Sequence, residues 1–217
     1  MITLAIDTST PHGSIALLAD GTLLLQEIFV SERSHSALLF AALEKARTLA
    51  EHVDQIAIGL GPGSYAGVRI AIAAALGLRL AFDAKLVGIP SVAALDTATE
   101  TAVGASWPTQ YIVIGDARRD SFYFSQIKNG VCTIGPLLAT EAELREKLST
   151  TTLPIYATEP VPHFPEAQIA QPSAVKLAIL ASTNTGITAT DNFEPIYLRE
   201  PHITQPKKPQ SLLPRQS

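Results

Sequence analysis

The 217 residues contain one cysteine, Cys132, one tryptophan and few charges, 17% of the chain. A single thiol cannot close an internal disulfide, and no Cys/His spacing suits a zinc cage. Five histidines, His12, His35, His52, His163 and His202, stand too far apart for a helical i, i+4 metal pair. No Gly-x-Ser-x-Gly elbow marks a serine hydrolase. No glycine-rich loop ends in Gly-Lys-Ser/Thr, so a Walker A phosphate cradle is excluded. The apolar stretch 70–82 contains Arg79 and falls short of the roughly 20 residues a membrane span needs. MITLAIDTST has no basic segment ahead of its short apolar run, and Asp7 interrupts that run, so it does not read as a signal peptide. These absences lead to the expectation of a cytoplasmic, soluble protein with no metal site.

What is present is an ordinary globular composition, 47% hydrophobic with mean hydropathy +0.22. The formal charge of −4 is unevenly spread: residues 1–200 carry −7, and residues 201–217 carry +3. A body at −7 repels phosphate backbones unless its few bases gather in one patch, which disfavours nucleic-acid binding by the chain alone.

Alternation of Ile2, Leu4 and Ile6 with smaller or polar neighbours predicts a strand ending at Asp7. Residues 14–19 and 22–30 read as two more strands joined by the hairpin signal Asp20-Gly21. Ser34 offers an N-cap to an amphipathic helix carrying Leu38, Leu39, Ala42, Leu43, Ala46 and Leu49. A buried strand over 53–60, the turn Gly61-Pro62-Gly63-Ser64, a helix over 68–82 apolar nearly all round, a strand over 86–89 and a helix over 92–99 follow. The order then recurs: a strand over 111–115 ending at Asp116, a hairpin around Asn129-Gly130, a Thr140-Glu143 capping box, a strand over 153–157 and a helix from Ala174. This predicts an α/β fold made of a duplicated βββαβα unit, the architecture of actin-like (ASKHA, RNase H-like) proteins. The expected domains are 1–105 and 106–200, followed by a loose, basic, proline-rich tail over 201–217.

Chemistry has two candidate locations. Gly61, Gly63 and Ser64 lie between a strand and a helix, where backbone amides can receive a phosphate; equally, the glycines can serve a tight turn and close helix packing. Asp7 and Ser9, with Asp116 at the matching strand end of the second half, could face a metal-linked phosphate, or merely satisfy turn amides. Cys132, on a hairpin strand, reads as a small buried side chain.

The segments ITLAIDTSTPHGSIALL, RSHSALLFAALEKA, GLGPGSYAGVRIAIAAALGL, GIPSVAALD, DARRDSFYFS and EPIYLR together resemble the bacterial TsaB family, also called YeaZ. The resemblance covers residues 2–199. It implies the two-domain actin-like fold and a role in making threonylcarbamoyladenosine beside the tRNA anticodon. In that role the chain would be a non-catalytic scaffold for the transferase TsaD, acting with the ATPase TsaE and meeting tRNA only through the complex. TsaD-type proteins use a His-x-x-x-His metal pair; this chain has only His35 in the corresponding region.

The family's pairing through N-domain helices, with TsaD or with a second copy, implies an interface at Leu39, Ala42, Leu43, Ala46, Arg69, Ile72, Ala73 and Leu76. Each of the apolar ones could instead be plain core. No cofactor of its own is implied, beyond weak ATP or ADP binding at the partner interface. Ala37, Phe40, Tyr65-Ala66 and Asp120-Ser121 depart from the usual Glu, Pro, Phe-Thr and Gly-Glu. An active ATP-dependent phosphotransferase is the main competing expectation, and a peptidase the weaker one.

Overall fold

The computed structural model describes residues 1–30, 35–97, 108–183, 187–188 and 193–199. Ser34, the expected domain boundary at 105/106 and the tail over 201–217 lie outside the described residues. Strands β1 (Ile2–Asp7), β2 (His12–Ala19) and β3 (Thr22–Val30) form an antiparallel meander. Helix α1 (His35–Leu49) leads to β4 (Gln55–Gly59), parallel to β1. Helix α2 (Tyr65–Phe82) leads to β5 (Lys85–Ile89), parallel to β4. Where the sequence predicts a helix over 92–99, the described residues form a 3-10 turn, Ser91–Ala94.

The second sheet begins with the meander β6 (Gln110–Asp116), β7 (Phe122–Lys128) and β8 (Val131–Ala139). Helix α3 (Glu141–Ser149) leads to β9 (Ile155–Ala157), parallel to β6, and β10 (Gln168–Ile169) is parallel to β9. Helix α4 (Ala174–Ser182) and β11 (Ile187–Thr188), antiparallel to β5, are the last elements among the described residues. The strand orders are β11-β5-β4-β1-β2-β3 and β10-β9-β6-β7-β8. The molecule is mixed α/β, built on two mixed sheets.

Strand alternation decides the layers. Leu4, Ile6, Ile15, Leu17, Ile56 and Ile58 cover one face of the first sheet and meet α1 and α2. Ala5, Ala16, Leu18, Ala57 and Val87 cover the other face and share a core with Tyr111, Val113 and Tyr156 of the second sheet. Helix α4 lies in that shared core through Leu177, Ala178 and Ala181. Ile112, Ile114 and Phe124 face away and are covered by Leu144 of α3.

The expected division at 105/106 therefore needs correction at its far end. Described residues beyond Ser173 pack on the first sheet: the Ala174 N–H donates to Ser14 Oγ at 3.1 Å, and the Ile196 N–H to the Leu60 carbonyl at 2.8 Å. Composition could not show this, because an apolar helix such as α4 carries no label for the sheet it will cover. Helix α2 is the one described helix long and apolar enough to cross a membrane by length and composition. Here it is the crossover between the parallel strands β4 and β5, with Gly67, Val68, Ala71, Ile72, Ala74 and Ala75 buried.

Lys176 is buried in the shared core, its Nζ donating to the Leu95 carbonyl at 2.8 Å over the Tyr111 ring. Burial pushes its pKa down to about 8, against an opposing pull from Asp96. Below pH 8 the lysine is protonated in both states and its burial penalty is constant. Between pH 8 and the unfolded value near 10.4 the unfolded chain binds more protons, so stability rises with pH, by about 3 kcal/mol. Burial also raises Tyr123 to about 12, so stability falls again above pH 10. Denaturant midpoints measured across pH 7–11 should peak near pH 10, and Lys176→Met should flatten the rising limb.

Candidate functional site: the cleft and the helical face

Asp7 is fully buried at the end of β1. Its Oδ1 accepts the Ser9 N–H at 2.8 Å and the Ser9 hydroxyl at 2.6 Å. Oδ2 lies against the Cα of Gly59, where any Cβ would approach within 1.8 Å, and the Ser91 hydroxyl stands beside it. Desolvation raises the Asp7 pKa, against the lowering pull of the Ser9 bonds. Asp7 thus turns no oxygen toward the cleft, and the residues do not fit a metal-linked phosphate there. Among the described residues no three His, Cys, Asp or Glu side chains converge as a metal cage.

A raised folded-state pKa contributes stability below the unfolded value near 3.9, which is lost as pH rises through the folded pKa. Asp7→Asn should therefore stabilise the chain at pH 7. The gain should shrink in thermal melts at pH 4.

The glycine loop packs directly on this strand end. The Ser64 N–H donates to the Ser9 carbonyl at 2.6 Å, and the Thr8 hydroxyl to the Gly67 carbonyl at 2.7 Å. A Cβ on Gly63 would lie 2.0 Å from the Ser9 carbonyl oxygen. Gly61 adopts φ +89°, and its N–H donates to the Ser91 hydroxyl at 2.9 Å. Ser64 caps α2 by accepting the Gly67 N–H at 3.1 Å. These contacts give the loop glycines the packing role, since the two loops meet backbone to backbone.

Asp116 ends β6 half-exposed, its carboxylate accepting the Arg118 N–H at 2.6 Å and pairing with the Arg118 guanidinium at 3.2 Å. The fold brings Ser9, Gly63, Ser64 and Asp116 to one cleft of about 390 Å³, with Arg118, Tyr123 and Glu159 also lining it. Asp7 and Gly61 do not line it.

The helical face needs correction. Leu39, Ala42, Leu43, Ala46 and Ile72 are buried in the first core of this same chain, and of these only Leu43 and Ala46 reach the groove between the helices. Arg69 and Ala73 are exposed, and Leu76 is half-buried, on the outer side of α2. Sequence reasoning missed Phe40 and Leu80, which are 57% and 88% exposed. Both lie on helices with more apolar surface than one sheet can cover, and the helical period alone does not tell the inner side from the outer. Between α1 and α2 an apolar groove of about 300 Å³ reaches Leu4 and Leu17 of the sheet, walled by Phe40, Leu43, Leu78 and Phe82.

The model of the TsaD family, described as tRNA N6-adenosine threonylcarbamoyltransferase, matches residues 30–145, just over half of the chain. A protein of Escherichia coli named tRNA threonylcarbamoyladenosine biosynthesis protein TsaB is 30% identical over 149 residues, 67% of this chain and 63% of that one. The same-named protein of Bacillus subtilis is 34% identical over 137 residues, 60% and 58% of the two chains. A crystal structure titled as an uncharacterized protein with similarity to peptidase YEAZ from Pseudomonas aeruginosa superposes with a TM-score of 0.70. It is 25% identical, covering 91% of this chain and 99% of that one.

The chain belongs to the TsaB (YeaZ) family. In this TsaB-family chain the matched stretch runs from the end of β3 through α1, α2 and the second meander, so it spans both sheets. It includes the glycine loop and the Asp116 turn. The chain spans between about half and two thirds of the length of the curated TsaB relatives it matches.

Proposed function

We propose that this chain is a non-catalytic scaffold subunit in threonylcarbamoyladenosine biosynthesis, pairing through the outer faces of α1 and α2 with a TsaD-type transferase and acting with TsaE in the cytoplasm. Its two sheets, with strand orders β3-β2-β1-β4-β5-β11 and β8-β7-β6-β9-β10, share the order of their first five strands, which supports reading it as two actin-like halves of a duplicated unit. The observation that carries the proposal is the open apolar groove between α1 and α2, walled by the exposed Phe40, together with the exposed Leu80 elsewhere on α2. A second copy is the occupant when the transferase is scarce, and nucleotide binding, if any, belongs at the partner interface.

A modification assay on unmodified tRNA, with the transferase and TsaE present and this chain added or omitted, tests the reading. Required addition, with no ATP turnover by the chain alone, supports it. ATP hydrolysis by the purified chain, with no response to the transferase, would replace it with a phosphotransferase.

A further inference from the structure

Arg118 lines the cleft, Arg119 and Arg199 line the two hollows that share residues with it, and Arg69 lies against Tyr65 in the second of these, although the body as a whole is acidic. Arg118 and Arg119 sit on the turn after β6, Arg199 donates from its guanidinium to the Arg118 carbonyl at 3.3 Å, and Arg69 lies over the Tyr65 ring at 5.0 Å. Tyr65 and Tyr197 stack with centroids 5.2 Å apart and planes at 29°, and each remains nearly half exposed. A hollow of about 170 Å³ joins Tyr65, Tyr197 and Arg199, and it shares Ser64 and Leu198 with the cleft that Arg118 lines. The arginine turn is strained: Arg118, Arg119 and Asp120 all have positive φ, 65°, 55° and 54°. Side-chain-bearing residues rarely take up that conformation, still less three in succession. Arg118 lines the cleft with its side chain 76% exposed, and Arg119 lines the neighbouring hollow with Asp116 and Asp120.

We propose that this arginine–tyrosine mouth binds a single-stranded segment of RNA, with bases stacking on the Tyr65–Tyr197 pair and phosphates taken by Arg118, Arg119 and Arg199. Asp116, Asp120 and Glu194 stand among these arginines, and Asp116 is already paired with Arg118. Attraction therefore comes from stacking and the planar guanidinium fork rather than from a broad positive field. The same acidity favours a single strand over a duplex, whose second backbone would be pressed against a body of charge −7. The choice of RNA rests on the tRNA-modification reading, and it makes the tRNA contact direct where the family resemblance implies an indirect one.

The test is fluorescence anisotropy at low salt of the full chain with an unmodified anticodon stem–loop RNA, and with a fully paired RNA of equal length. Photocrosslinks to the stem–loop are mapped in parallel on the wild-type chain. The stem–loop should bind more tightly than the duplex and crosslink at Tyr65 or Tyr197. Tyr197→Ala should weaken binding about tenfold and Tyr197→Phe should restore it. Arg119→Ala should reduce the slope of log affinity against log salt by about 0.7.

Equal binding of duplex and stem–loop, crosslinks confined elsewhere, or a Tyr197→Ala chain that binds as wild type would each overturn the proposal. So would loss of transferase pairing by Tyr197→Ala with RNA binding intact, which would make the mouth a protein interface. Because no modification activity is read, failure here leaves the scaffold assay standing, and failure of that assay leaves this one.

Discussion

Replacing Gly67 with alanine is expected to destabilise the isolated chain by roughly 3 kcal/mol, through overpacking where the helix meets β1. Exchanging glycine for alanine inside a helix ordinarily gains about 1 kcal/mol, because alanine loses less backbone freedom on folding. At Gly67 the sign reverses, since the new Cβ would lie 1.9 Å from the Thr8 carbonyl oxygen, and backbone cannot swing aside as a side-chain tip can. Either α2 moves off the strand end, breaking the Thr8–Gly67 and Ser64–Ser9 hydrogen bonds, or β1 shifts in register.

Gly77 is the internal control. It lies in the same helix with nothing within 4 Å of its hypothetical Cβ, so Gly77→Ala should gain about 0.5–1 kcal/mol. Urea midpoints of the two variants should bracket the wild type. If both shift in the same direction, the close contact of the glycine loop with the end of β1 is not what holds α2 in place.

Introducing Phe40→Asp together with Leu80→Asp should leave the fold intact and abolish pairing with the transferase. Both side chains are mostly exposed in the single chain, so the changes should cost folding only about 0.5 kcal/mol. In an interface they would bury unpaired charge, at about 3–5 kcal/mol each, enough to weaken association at least a hundredfold. Leu39→Asp would give a different result, because Leu39 is wholly buried in the first core and its loss unfolds the chain. Light scattering of the mixed proteins, alongside thermal melts of the double variant alone, separates the two cases. Association that survives the double change, in a protein with an unaltered melt, would rule out the α1/α2 face as the docking surface.

The chain's own pattern was sufficient for local structure. Period-2 alternation placed β1, Asp20-Gly21 and Asn129-Gly130 marked hairpins that formed, and Thr140 with Glu143 made the capping box that opens α3. These signals act between near neighbours and need no knowledge of the rest of the fold. The extension of β8 to Ala139 was not legible, because Pro136 removes a ladder donor and only the neighbouring β7 shows that the strand continues past it. Strands β10 and β11, two residues each, exist only because longer strands present free edges to them.

The site divided in the same way. The residue types at Asp7, Ser9, Gly63, Ser64 and Asp116 could be singled out from sequence, yet their orientation could not. Tertiary packing turned Asp7 inward against Gly59, set Gly63 on the Ser9 carbonyl, and left Ser9, Ser64 and Asp116 around a shared cleft. On α1 and α2 the helical period located apolar residues all round, but only docking on the sheet decided that Leu39 and Ile72 face inward while Phe40 and Leu80 face outward. The same docking drew Tyr65 and Tyr197, 132 positions apart, into one stack. Hydrophobic burial has no direction of its own, so a chain apolar on several faces acquires an inside only when its partner layers assemble.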